Sequence, residues 1–174
     1  DDRGLARRME VFAVDQLGAA VERMYERYAE LLPEGPARDR AAATARAMAT
    51  QSSLGDGDDD RWATALASDF ESIDHRQLGT WSLRGAAAFR EHLRALWEVA
   101  SEIVLRDQAV LALEPTAVLV ERMHSGNDRL GGGAYERPFL VLFATDVTGR
   151  LVRAEWFDPD QDTEALARFD AVVA

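Results

Sequence analysis

Asp74 and His75 are neighbours in the chain, and a carboxylate beside an imidazole can move protons. A carboxylate walled in by apolar side chains has its pKa pushed towards neutrality and becomes a general acid or base. Such a group suits isomerisation, cyclisation or hydrolysis of a hydrophobic compound. Adjacent residues on one β-strand face opposite ways, so Asp74 and His75 form a dyad only across a bulge. Each also has a structural alternative. Asp74 can pair with Arg76 or Arg84 and orient the following turn, and His75 can be a hydrogen-bonded or surface imidazole instead of a proton shuttle.

Other chemistries are excluded by residue type. There is no cysteine, hence no disulfide, thiolate metal site or Cys nucleophile. All 20 basic residues are Arg, which removes Schiff-base lysines and a P-loop lysine. His92 and His124 lack metal-like spacing with any other histidine, and no metal or cofactor is expected. Residues 51–60 end in an acidic run that resembles a calcium loop. The Gly and distant Glu of an EF-hand are out of register, so it reads as a solvated loop with an Asp capping the next helix. Gly131 to Gly133 precede a strand and not a helix, so they form a hairpin loop and not a phosphate cradle. A net charge of −11 argues against nucleic acid and against an anionic membrane surface. The apolar runs, such as Phe139 to Ala144, are too short to span a bilayer. With no signal segment after Asp1, the expectation is a cytoplasmic protein.

The elements that must position these groups follow from hydrophobic period. Residues 5–31 are helix-rich, with Leu17, Val21, Met24, Tyr25, Tyr28 and Leu31 at spacings of three and four, broken by Pro33, Gly35 and Pro36. Helices are expected over 37–48, 60–66, 86–100 and 162–172, and a strand over 70–76 followed by turns to Gly85. Phe89, Leu93, Leu96, Trp97 and Ala100 give the 86–100 helix a core-facing stripe. The period then becomes two, with strands over 103–113, 117–124, 135–145 and 150–157, an antiparallel meander. This is an α+β pattern with helices over one sheet face. Trp81, Trp97, Phe139, Phe143 and Trp156 are either pocket walls or plain core. If Trp156 faces a pocket, Glu155 faces away, towards Arg153 or a partner surface.

The chain also repeats itself. At an offset of 145, Arg8, Glu10, Phe12, Asp15, Gln16, Ala20 and Arg23 match Arg153, Glu155, Phe157, Asp160, Gln161, Ala165 and Arg168. Residues 1–32 therefore read as the last strand and helix of a preceding copy, 33–35 as a linker, and 36–174 as the domain itself. The alternative is two unrelated amphipathic helix starts.

The element order resembles the SnoaL-like branch of the nuclear transport factor 2 superfamily. The residues that carry the resemblance are Ala67 to His75, Leu83-Arg84-Gly85 with the helix that follows, and Asp146 to Trp156, covering 36–174. It implies a cone-shaped, curved antiparallel or mixed sheet wrapped around a long helix, here with extra N-terminal helices. It also implies relatives that include ketosteroid isomerase, polyketide cyclases, epoxide hydrolases and non-catalytic binding or association modules, some in series within larger bacterial regulatory proteins. Asp74 falls where isomerase-like members carry their general base. Where they carry an oxyanion donor this chain has Val141 or a near neighbour, and Thr50 is the residue nearest their first-helix tyrosine. Missing donors remove the largest contribution to that chemistry. The leading expectation is a ligand-binding or association module taking a hydrophobic small molecule, and pairing as a homodimer or with an adjacent repeat. The alternative is a small enzyme using Asp74.

Overall fold

A computed structural model describes residues 8–51, 59–79 and 81–174. The calcium-like part of the acidic run, 52–58, lies outside the described residues. After a 3-10 turn at Val14–Gln16 come α1 (Leu17–Leu31), α2 (Pro36–Gln51) and α3 (Asp59–Ala65). Then follow β1 (Leu66–Asp74), β2 (Ser82–Arg84) and α4 (Ala86–Val99). The chain closes with β3 (Ala100–Glu114), β4 (Ala117–Asp128), β5 (Gly133–Thr145), β6 (Leu151–Phe157) and α5 (Asp162–Val173).

The six strands form one mixed sheet in the order β2-β1-β6-β5-β4-β3. β3 to β6 are the expected antiparallel meander. β1 joins β6 in parallel, with Asp74 opposite Trp156, and β2 pairs antiparallel with β1. Several boundaries differ from the sequence reading: β3 starts earlier, at Ala100, and β4 and β5 extend to Asp128 and back to Gly133, into the stretch expected to be only a turn. β1 begins at Leu66 and ends at Asp74, and the segment expected to be only turns contains β2. At three residues β2 is too short to show a period, and it exists because β1 offers it an edge.

The sheet is open and bent. Three register shifts interrupt β3 against β4, and Glu102 in the first has φ 52°, the one non-glycine residue with positive φ among the described residues. Such bulges add twist and curl the sheet. Its concave face holds the larger core, with Met48, Phe70, Phe89, Leu93, Val120 and Phe143 packed between the sheet and α2, α3 and α4. α4 keeps the expected stripe: Phe89 and Leu93 are buried and Trp97 packs beside them. Gly85, at φ +87°, turns the chain from β2 into α4. α5 covers the convex face, where Ala165 and Phe169 meet Leu119, Leu140, Leu142 and Phe157.

α1 belongs to the same body. Val21 and Tyr25 join the larger core, and the Tyr25 hydroxyl lies 2.9 and 2.8 Å from the carbonyl oxygens of Glu114 and Ala117. Residues 8–13 form no strand ladder. No described helix is long and apolar enough to cross a membrane.

Candidate functional site

Strand alternation sorts the candidates onto two faces. On β1, Phe70, Ser72 and Asp74 point into the concave side; on β6, Ala154 and Trp156 do the same. Glu155 and Phe157 point to the convex side.

The Asp74 carboxylate is fully shielded from solvent and gripped by Arg76 in three contacts. Arg76 Nε donates to Oδ1 and Nη2 to Oδ2, both at 2.8 Å, and the Arg76 amide donates to Oδ1 at 3.2 Å. The bidentate fork fixes both oxygens in one plane. The turn then closes over the group, because a side chain at Gly79 would begin 2.9 Å from Asp74 Cγ. Asp74 thus organises the turn after β1.

His75 lies on the opposite face, so the structure does not bring it together with Asp74. Its Nε2 is 2.7 Å from Glu155 Oε2, and its ring stacks on Phe157 at 4.6 Å and 12°. Glu155 has no exposed side-chain surface. Arg168 Nε donates to both of its oxygens at 2.9 Å, and Arg153 Nη1 donates to Oε1 at 2.9 Å. Arg153 also reaches Glu71 at 3.0 Å. Burial acts to raise the Glu155 pKa, but the bonds from Arg168, Arg153 and His75 outweigh it and hold the carboxyl below its usual range. This is a structural knot tying β1, β6 and α5.

The aromatic candidates gather around Trp156 on the concave side. Phe139, Trp81 and Phe143 have ring centroids 5.0, 5.6 and 6.3 Å from it, and its Nε1 donates to Ser72 Oγ at 3.0 Å. Trp97 packs against the same core without being fully buried. The rings meet one another as a packed aromatic cluster. Trp81 also contacts the His92 ring at 4.5 Å. Burial first, then nearby Arg76, lowers the His92 pKa against the opposing pull of Asp74. Burial, Arg137 and Arg76 bring His124 down to about 4, and its Nε2 lies 3.1 Å from the Tyr135 hydroxyl. Both imidazoles are therefore neutral near pH 7.

One group escaped the sequence reading. On β4, Val118, Val120 and Arg122 share the concave face, and the Arg122 guanidinium is as buried as the valines. Its Nε meets Asp107 Oδ1 at 2.5 Å, its Nη1 donates to the Gln51 carbonyl at 3.0 Å, and its Cζ lies 5.4 Å from the Phe143 ring centre. Asp107 Oδ2, Arg122 Nη2 and Gln51 Oε1 are buried without a hydrogen-bond partner. The signal was the alternation itself, which places a charged residue on an apolar row. Its partner was not readable, because bulges in β3 set the register that puts Asp107 opposite Arg122.

At the two positions where the isomerase resemblance calls for hydrogen-bond donors, Val141 is buried and apolar, and the Thr50 hydroxyl donates to Arg46 of its own helix at 3.0 Å. Among the described residues no group of three or more His, Asp or Glu can hold a metal ion. The concave face thus offers aromatic surface, two neutral imidazoles and two internal ion pairs.

No protein-family model and no curated protein sequence matches the chain. Solved structures do. A protein of Jannaschia sp. CCS1 assigned as a SnoaL-like polyketide cyclase is 19% identical, with a TM-score of 0.55 over 71% of this chain and 90% of its own. An LEH-like epoxide hydrolase of M. tuberculosis is 19% identical, TM-score 0.54, over 76% and 95%. A Δ5-3-ketosteroid isomerase of Mycobacterium sp. is 15% identical, TM-score 0.52, over 69% and 95%. The chain has the SnoaL-like fold of the nuclear transport factor 2 type, a fold that houses enzymes and binding modules alike.

Proposed function

We propose that this chain is a non-catalytic SnoaL-like module, for ligand binding or association, within a larger cytoplasmic bacterial protein that carries tandem copies of the domain. One observation carries the reading: Asp74, which the resemblance puts where a general base would act, has both carboxylate oxygens engaged by Arg76 and no exposed side-chain surface. A general base needs a lone pair within reach of the substrate proton, and this one is turned into its own turn. The valine and the helix-bonded threonine at the donor positions support the same conclusion. A small ligand of this module would be hydrophobic, seated on Trp81, Trp97, Phe139, Phe143 and Trp156. The internal repeat supports the tandem arrangement, with an adjacent copy or a homodimer mate as partner.

The competing reading is an isomerase, cyclase or hydrolase with Asp74 as general acid and base. The test is turnover of a Δ5-3-ketosteroid and of an aliphatic epoxide by the wild-type chain and by Asp74→Asn. The module reading expects no turnover above the uncatalysed rate. Turnover that Asp74→Asn abolishes, in a variant that remains folded by circular dichroism, overturns it.

A further inference from the structure

The two halves of the sequence repeat share more than residue types. Gln16 N–H donates to Ala13 O at 2.9 Å, and Gln161 N–H donates to Asp158 O at 3.0 Å, the same turn at the same offset. α1 starts at Leu17 and α5 at Asp162, again equivalent, after glutamines with φ/ψ of −110°/28° and −98°/30°. Glu10 is gripped by Arg8 at 2.7 Å and by Arg23 Nε at 3.2 and 3.0 Å. Glu155 is gripped in the same way by Arg153 and by Arg168 Nε. Two unrelated helix starts would not reproduce a turn, a helix boundary and a three-residue ion cluster together.

What differs is the cover. Ala154, Trp156 and Phe169 are buried by the domain's own sheet and helices, whereas their counterparts Met9, Val11 and Met24 are 86%, 83% and 56% exposed. In α5 the face that meets the sheet carries Ala165 and Phe169; the equivalent face of α1 carries Ala20, half-buried, and Met24, which is left largely exposed at the edge of this domain. α1 instead uses the neighbouring face, Val21 and Tyr25, to join the core here. Beside the open face lies a cavity of about 190 Å³ lined by Met24, Tyr25, Tyr28, Leu113, Glu114 and Pro115. The charges are incomplete in the same sense. Arg153 bridges Glu155 to Glu71 on β1, while Arg8 meets Glu10 and is otherwise more than half exposed.

We infer that residues 8–31 are the closing strand and helix of an upstream copy of this domain in the same polypeptide, and that α1 is shared by the two. This rests on the tandem reading above and deepens it. Residues 8–12 add to the upstream sheet between the equivalents of β1 and β5, with Met9 and Val11 on its concave side. Ala20 and Met24 lie on its convex face. The equivalent of Glu71 supplies the missing acid to Arg8, and the equivalent of His75 meets Glu10. Because the other face of α1 is built into the downstream core, the two domains are coupled through one rigid helix and not through a flexible tether.

The experiment compares the 174-residue chain with the product of the intact reading frame by amide hydrogen exchange and calorimetry. Amides of residues 9–12 are expected to exchange at least tenfold slower in the longer chain. Val11→Asp is expected to leave the melting temperature of the 174-residue chain unchanged and to lower that of the upstream domain by several degrees. Equal exchange in the two chains, with Val11→Asp silent in both, overturns the shared helix while leaving tandem copies intact. A reading frame without an upstream copy overturns the tandem reading itself. Concentration-dependent dimerisation of the 174-residue chain that Val11→Asp abolishes places the second copy in trans and overturns the assignment.

Discussion

The two faces of the sheet handle buried charge differently. On the convex face, Glu155 sits at the centre of a knot in which two arginines and a histidine engage both of its oxygens. On the concave face, Arg122 and Asp107 are equally hidden, yet one atom of each remains without a partner. The convex cluster is satisfied from several elements at once and so serves as a fastening. The concave pair desolvates two charges for one contact between them and is therefore the poorer contributor to stability. The difference teaches which face has polar capacity to spare.

The largest effect is expected where an uncompensated charge is left in the core. Asp107→Ala strands the Arg122 guanidinium, and chemical denaturation should show a loss of about 3–5 kcal/mol. The double variant Asp107→Leu with Arg122→Met should recover most of it, because volume-matched apolar residues replace buried ion pairs well. If the double variant is as unstable as the single one, the concave pair is a fastening too and the contrast collapses.

Next comes Glu155→Gln, which keeps the shape but removes the charge that three donors converge on. A loss of about 2–3 kcal/mol is expected, read in the same way. The matched change Glu10→Gln, in the exposed copy of the cluster, should leave the melting temperature within about 1 °C. Equal effects at the two sites would mean that residue type and not burial sets the value of the cluster.

The smallest effect is a titration. His124 has its pKa depressed to about 4 in the folded chain, against an ordinary value of 6.5. The unfolded chain therefore binds more protons between those values, so the contribution is complete above pH 6.5 and is lost as pH falls towards 4. Partial exposure screens it, leaving about 1–2 kcal/mol. Glu155, also depressed, loses its contribution on the same side as acid is added. Stability measured against pH should show the upper part of this decline vanish in His124→Gln. A decline unchanged by that substitution would shift the acid sensitivity to the convex knot.

Much of the architecture was legible in the residues. The Phe89–Leu93–Trp97 stripe announced α4, the change to a period of two announced the meander, and strand alternation placed Asp74 and His75 on opposite faces. The sites were less legible because their partners are tertiary. That Glu155 would face Arg153 follows from alternation along β6. That Arg168 and His75 would close on it depends on where α5 lies and on the parallel pairing of β1 with β6. Asp74 had Arg76 among its foreseen partners, but only the fold of the turn shows that Arg76 takes both oxygens and that Gly79 seals them. The Asp107–Arg122 contact needed a register that three bulges determine.

The parallel pairing of β1 with β6 has a consequence for the newborn chain. Glu71 and Arg153 are 82 residues apart, yet they share a rung of the sheet. During synthesis β1 and β2 leave the ribosome as a two-stranded ribbon, which is marginal in water by itself. Its missing neighbour arrives only with residues 151–157, 82 residues later at the Glu71–Arg153 rung. The seam therefore closes only once β6 has emerged, and until then β1 presents a bare edge that a neighbouring nascent copy can capture.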